Sequence, residues 1–181
     1  MFKFLKSLFL NKNYLQKTTE DIIFDIAQIN DIEKIKDFIF CGAREGHFNK
    51  GYLEKNAAGG LLDQLKKTIV DNYMPITNYE AIPAYLYILK KNSKIIAFSW
   101  IRYKDEYKAW EIYLLYLDVA ERKKGYGEDL LIKTINKIKS KNIYVDLLEE
   151  SKVMEQLLLR NNFRRDGSNF GGNKRFKLQY K

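Results

Sequence analysis

Arg122-x-x-Gly125-x-Gly127 follows an apolar run, Tyr113 to Val119, and precedes a helical pattern that begins Glu128-Asp129-Leu130-Leu131. Glycine lets a ligand approach the backbone closely, and the first amides of a helix are unpaired and partially positive. Strand, basic glycine loop and helix start, in that order, make a cradle for a pyrophosphate, with Arg122, Lys123 and Lys124 adding charge around it. A plain strand–turn–helix corner with solvated lysines is the simpler alternative. Upstream, Glu111 interrupts an otherwise apolar strand. Burial among Trp110, Ile112 and Tyr113 would raise the pKa of its carboxyl towards neutrality, which suits a general base. A carboxylate paired to a lysine or facing water is the competing reading.

Other reactive residues are few. His47 is the only histidine, so metal sites built on several histidines are excluded. It lies in the polar stretch Ala43-Arg44-Glu45-Gly46-His47-Phe48-Asn49, where a surface role is the usual one. Cys41, the single cysteine, sits at a helix end among apolar neighbours and reads as packing. One cysteine allows no intramolecular disulfide and suits a reducing, cytoplasmic setting.

The elements that must position these residues follow from periodicity. Asp21–Ala27 reads as a strand; Asn30 or Asp31 then caps a helix with Ile32, Ile35, Phe38 and Ile39 inward, ended by Gly42. A second helix spans about 53–70, with Leu61, Leu62, Leu65 and Ile69 inward. Ile82–Leu89 and Lys94–Tyr103, separated by Lys90-Lys91-Asn92-Ser93, form an antiparallel hairpin, and a long strand runs from about Lys108 to Val119. A helix over roughly 127–140 crosses to a strand at 142–147, parallel to the strand before the loop. A helix over about 151–161 and strands at 163–165 and 173–180 complete the chain, the last with Phe176, Leu178 and Tyr180 on one face.

With 181 residues, 46% of them hydrophobic, the chain suits one folded domain of the usual size, roughly 100–200 residues. No apolar run approaches the ~20 residues needed to span a bilayer. The net charge of +9 is concentrated at the ends: residues 1–17 hold four lysines and no acid, and residues 160–181 hold seven Lys/Arg and one Asp. A body without excess positive charge argues against a dedicated nucleic-acid binder. Residues 1–10 alternate as an amphipathic helix, with Phe2, Leu5, Leu8 and Phe9 opposite Lys3, Lys6 and Ser7. Packing on its own domain and contact with a membrane surface or partner both remain open for it. The expected division is a basic amphipathic segment, 1–19, and one domain, 20–181.

From Glu111 to Leu131 the sequence resembles the signature of the GNAT superfamily of acetyl-CoA-dependent N-acetyltransferases, whose loop motif, Arg/Gln-x-x-Gly-x-Gly/Ala, is complete here. The element order over roughly 20–180 is similar to the whole GNAT fold. The resemblance implies an α+β, three-layer (α/β) architecture with a mixed, mostly antiparallel sheet of about seven strands and helices on both faces. It also implies that two strands splay apart beyond Leu115–Val119 to admit acetyl-CoA. On matching positions the amides of Leu117 and Val119 would meet the pantetheine and acetyl oxygen. Those of Lys123, Lys124, Gly125, Tyr126 and Gly127, with Arg122, would meet the pyrophosphate. Ser151, standing where the family carries Asn, joins the cofactor set. Glu111 stands at the separation from Gly125 that the base glutamate of histone-type members has. The loop between the first two helices helps form the acceptor site, which makes Arg44, Glu45 and His47 the acceptor candidates.

One departure bears on chemistry. Leu158 stands where the family often has a tyrosine that protonates the departing thiolate. Leucine cannot donate a proton, so Tyr116, Tyr144 or water would have to. The expected function is acetyl transfer to a primary amine of a small molecule or protein, without a metal. The alternative is an acyl-CoA-binding sensor or interaction module with little turnover. A homodimer and membrane-surface contact through residues 1–17 stay open as further associations.

Overall fold

The computed structural model describes residues 21–76, 80–169 and 171–179. The amphipathic pattern at residues 1–17 and the Tyr180 position lie outside them. Eight strands and four helices follow one another in the order β1 (Ile22–Ile26), α1 (Ile32–Arg44), α2 (Lys55–Asp71), β2 (Tyr73–Pro75), β3 (Ala81–Lys91), β4 (Lys94–Lys104), β5 (Ala109–Leu117), α3 (Tyr126–Ile138), β6 (Ile143–Leu147), α4 (Lys152–Arg160), β7 (Phe163–Ser168) and β8 (Lys174–Leu178). The sheet runs β1-β3-β4-β5-β6-β8-β7, with β2 added on β3. Among the described residues only β5 and β6 pair in parallel, as a helical crossover requires.

The hairpin is tighter than the sequence reading had it. β3 continues through Lys90 and Lys91, and the turn is Asn92-Ser93 alone, both with positive φ (48° and 66°), the backbone of a two-residue hairpin loop. Gly42 does not end α1, which runs on to Arg44. A Cβ at Gly42 would stand 2.5 Å from Cδ2 of Phe48, so glycine is there to admit that ring. Phe48, in turn, packs edge-on to Phe98 and tilted against Tyr116, and pins the loop that follows the helix.

Core clusters lie on both faces of the sheet. On one face Ile35, Ile39 and Leu65, from α1 and α2, meet Leu86, Phe98 and Trp100. On the other, Leu131 and Leu158, from α3 and α4, meet Ile101, Ile112 and Phe176. A buried hydrogen bond of 2.7 Å between Ser99 Oγ and Thr134 Oγ1 ties α3 to β4. This fixes the start of α3 relative to the end of β5, where the glycine loop lies.

Candidate active site

The site begins with a missing strand contact. β5 pairs with β4 along its length, but with β6 only at Trp110↔Ile143 and Glu111↔Tyr144. Beyond that point β6 turns to pair with β8, from Tyr144↔Lys177 to Leu147↔Lys174. From Ile112 to Leu117 the second edge of β5 therefore faces open space. The amide of Asp118 donates to the Ile96 carbonyl at 2.8 Å. By the alternation of a strand, the amides of Leu117 and Leu115 point the opposite way, into the gap. The opening starts several residues earlier than Leu115, where the sequence reading put it, because β6 is only five residues long and is drawn off by β8. A bulge assists: Trp100 pairs with Leu114 and Ile101 with Ile112, leaving Tyr113 unpaired and β5 more strongly twisted. The result is a cleft of about 970 Å³.

At the C-terminal end of that edge lies the glycine loop. Asp118 Oδ1 accepts from the Ala120 amide and caps a single 3-10 turn, Val119–Glu121. Lys123 (φ 64°) and Gly125 (φ 89°) both adopt left-handed backbone before α3 starts. The first donors that the helix satisfies are the amides of Glu128 and Asp129, both to the Gly125 carbonyl at 3.1 Å. The amides of Gly125 and Gly127, ahead of them, lie at the positive end of the helix, where an anion is favoured. Nothing stands within 4 Å of where a Cβ at Gly125 would be, so a side chain there would project into open space, on a left-handed backbone that favours glycine. A Cβ at Gly127 would rest in ordinary contact with Leu117 and Leu157, at 3.8 and 4.0 Å.

Arg122, Lys123, Gly125, Gly127 and Leu117 line the cleft, and so does Ser151, nearly buried at the start of α4 with its hydroxyl making no cap to the helix. Val119 lies past the strand end and is 57% exposed. Lys124 reaches Glu121 at 3.1 Å, and Lys91 also reaches it at 3.3 Å. These hydrogen bonds and charges hold the Glu121 carboxyl below its ordinary range. Tyr126 receives Lys91 over its ring at 5.3 Å.

Glu111 is buried on the wall towards α1 and α2, but it is not an isolated carboxylate. Arg102 Nε donates to its Oε2 at 2.6 Å, and the guanidinium lies over the ring of Tyr113 at 3.6 Å. Burial pulls the Arg102 pKa down and the Glu111 charge pulls it up, with a net rise, so Arg102 stays a cation. This corrects the expectation of a carboxylate surrounded by apolar groups alone. The Tyr113 and Tyr52 hydroxyls share a hydrogen bond, and burial, reinforced by Tyr113, pushes the Tyr52 phenol well above its usual range. Arg102 and Tyr52 were not singled out from sequence, and Tyr113 only as apolar cover for Glu111. The available signal was the arginine on an otherwise apolar strand opposite an equally isolated glutamate.

Of the acceptor candidates, Glu45 and His47 come together with the loop arginine. Arg122 Nη2 donates to Glu45 Oε2 at 2.6 Å and Arg122 Nε to the Leu117 carbonyl at 3.2 Å. His47 Nε2 lies 3.7 Å from Glu45 Oε2, and its Nδ1 is buried with no partner among the described residues. Tyr116 donates to Glu45 Oε1 at 3.3 Å, and burial, then the Glu45 charge, pushes its phenol up to about 12. Arg44 is not brought in: it lies outside the cleft, 3.9 Å from the Cys41 sulfur. Leu158 is fully buried, and of the two replacement tyrosines Tyr116 lines the cleft while Tyr144 does not. Among the described residues no three His, Cys, Asp or Glu side chains are grouped to hold a metal.

The profile of the acetyltransferase (GNAT) family matches residues 62–158. The chain belongs to the GNAT family. Solved structures share the fold at low identity. The PaiA N-acetyltransferase of Thermoplasma acidophilum, in complex with coenzyme A, is 16% identical with a TM-score of 0.68, covering 88% of this chain and 99% of its own. A GNAT acetyltransferase of Staphylococcus aureus is 12% identical with a TM-score of 0.66, covering 89% and 100%. YncA of Salmonella typhimurium, solved with its cofactor acetyl-CoA, is 14% identical with a TM-score of 0.60, covering 87% and 91%. No curated protein sequence matches the chain.

Proposed function

We propose that this GNAT protein is an N-acetyltransferase that moves the acetyl group of acetyl-CoA to a primary amine. The observation that carries the proposal is the continuous run from the open edge of β5 at Ile112–Leu117 into the Lys123–Gly127 cradle. An extended pantetheine arm fits the first, as an added strand would, and a pyrophosphate fits the second. Two of the structural neighbours, PaiA and YncA, were solved with coenzyme A and acetyl-CoA respectively. When bound, acetyl-CoA supplies an activated thioester carbonyl.

The chain's own groups divide the remaining work. The amides of Leu115 and Leu117 bind and orient the arm; those before Glu128, with Arg122 and Lys123, bind the anionic end. Glu45 holds Arg122 against the Leu117 carbonyl, so the cation is already placed at the strand end. An alkyl ammonium with a pKa of about 10 must lose a proton before attack. Glu111, buried on the cleft wall, is the acceptor for it. Tyr116 holds its proton at neutral pH and can return one to a leaving thiolate, taking the place of the tyrosine that Leu158 replaces. The single cysteine fits a reducing, cytoplasmic setting.

Acetyl-CoA should raise the melting temperature, since it binds only the folded state. Gly125→Val should remove that shift, because the valine side chain fills the cradle and must adopt φ near 89°. Equal shifts for both proteins would remove the cradle from the reading. Release of CoA thiol with an amine panel decides between transfer and acyl-CoA sensing.

A further inference from the structure

We propose that the acceptor is a free α-amino acid, held by the Arg102–Glu111 pair. This rests on the acetyltransferase reading above, and adds to it the chemistry of the acceptor.

The part of the cleft beyond the pantetheine edge is rich in charge yet balanced. Arg102 pairs with Glu111 at 2.6 Å, Lys104 with Glu106 at 3.3 Å, and Arg175 with Asp146 through two bonds at 2.8 and 2.9 Å. All six side chains line the cleft. A polyamine would meet three cations in that wall, and a simple polyanion would meet three carboxylates. A zwitterion meets a partner for each of its ends.

Of the two buried pairs, Arg102–Glu111 and Arg175–Asp146, the first is the one whose bonding is incomplete, since both Asp146 oxygens accept from Arg175. Glu111 uses Oε2 for Arg102, and its Oε1 has no partner among the described residues. The guanidinium uses Nε for Glu111 and places Nη1 4.0 Å from the Met74 sulfur, a weak acceptor; no oxygen among the described residues accepts from Nη2. Arginine presents five donors in a fixed fork, so strong donors remain for a carboxylate. One free carboxylate oxygen beside free guanidinium donors is the mirror of an ammonium beside a carboxylate. The Tyr113 ring beneath the guanidinium holds the planar fork aimed, since stacking on an aromatic face restrains it.

The consequence for reaction is direct. Glu111 Oε1 receives the ammonium, takes its proton, and leaves the amine lone pair beside the thioester. The Arg102 fork fixes the α-carboxylate. The amine nitrogen bonds to the acetyl carbon as the carbon–sulfur bond breaks, and the second proton shed by the nitrogen is balanced by the one that Tyr116 gives the thiolate, which leaves as free CoA thiol. Arg102 is then the specificity residue: an amine without the carboxylate leaves its donors unmet, the situation in which polar sites discriminate most strongly.

Two matched trios test this: phenylalanine, phenylalaninamide and phenethylamine, and lysine, lysinamide and cadaverine. Turnover is read by CoA thiol release, and binding by calorimetric titration of each compound into the protein with CoA present, which needs no turnover. The expected result is a kcat/KM at least tenfold higher for the amino acid than for its amide or decarboxylated amine in one trio or both, with the same order in Kd. Arg102→Gln should bring that ratio to within about threefold of one, while Arg102→Lys retains part of the preference. A loss of Glu111 function caused by removing its partner would lower all members of a trio together and leave the ratio unchanged. Amines acetylated without regard to the carboxylate, or a preference that survives Arg102→Gln, would overturn the inference while leaving the transferase intact. Arg102-dependent binding of an amino acid without thiol release would sustain the zwitterion site and reject the transfer reaction. Absence of both binding and turnover would reject the acceptor assignment.

Discussion

At the scale of single residues, Glu111 is where position and chemistry meet. It is buried on the cleft wall, one oxygen fixed by Arg102 and the other open to an acceptor. Glu111→Gln keeps the shape and an oxygen for Arg102 but removes the proton acceptor. Turnover near pH 7 should fall by roughly 10²–10⁴, the range for loss of one general base, while acetyl-CoA binding survives. The deficit should shrink as pH rises, because more of the amine arrives deprotonated. Rate–pH profiles of both proteins with one active amine provide the measurement. A Gln variant with wild-type rate at pH 7 assigns proton removal to water, and joint loss of folding and cofactor binding makes Glu111 structural. The glutamate was visible in the sequence because it broke an apolar strand. Its partner was harder to find: pairing Arg102 with Glu111 depends on a bulge at Tyr113 that no local pattern announces.

At the scale of elements, the sequence carried most of the architecture. Apolar periodicity located both helix layers and the long strands, and the Gly-x-Gly loop located the start of α3. What escaped it were features set by contacts distant in sequence. Pairing with β8 decides how little of β6 is left for β5, and hence where the cleft opens. Packing of Phe48 decides that Gly42 is spent on a close approach rather than on ending α1. That second point has a measurable consequence. Gly42→Ala gains roughly 1 kcal/mol of helix propensity, but it puts a methyl 2.5 Å from a ring held between Phe98 and Tyr116. Overpacking of this kind costs roughly 1–3 kcal/mol, so a net loss of about 1 kcal/mol is expected from urea unfolding midpoints. The His47 and Phe48 amides both donate to the Gly42 carbonyl, at 2.9 and 3.1 Å, so the acceptor loop should shift with the ring. A variant as stable as the parent would show that Phe48 moves aside freely.

At the scale of the whole molecule, the chain buries tyrosines on both faces of its sheet, and their protons couple folding to pH. Burial raises the phenols of Tyr52, Tyr87, Tyr116 and Tyr144, with Tyr113, Tyr85, Glu45 and Glu111 respectively adding to the rise. Below pH ~10, the ordinary phenol value, these groups are protonated whether the chain is folded or not, and the native state keeps the full benefit. Above it the unfolded chain loses these protons while the folded chain retains them. Tyr116 does not follow until about pH 12. The unfolded state thus binds fewer protons in that window, and stability must fall as pH rises, by about 1.4 kcal/mol per pH unit for each phenol still protonated only in the fold. Tyr144 isolates the effect, because its hydroxyl is buried with no hydrogen-bond partner among the described residues. Tyr144→Phe should therefore be neutral or slightly stabilising at pH 7, since removing an unpaired buried hydroxyl relieves a desolvation cost. Between pH 10 and 12 it should lose stability less steeply than the parent, by about one phenol's share. Urea midpoints for the two proteins at half-unit steps from pH 7 to 12 measure both slopes. Parallel curves across the alkaline window would mean that Tyr144 titrates alike in the folded and unfolded chain, and that the alkaline limit of this fold lies with its lysine ion pairs instead.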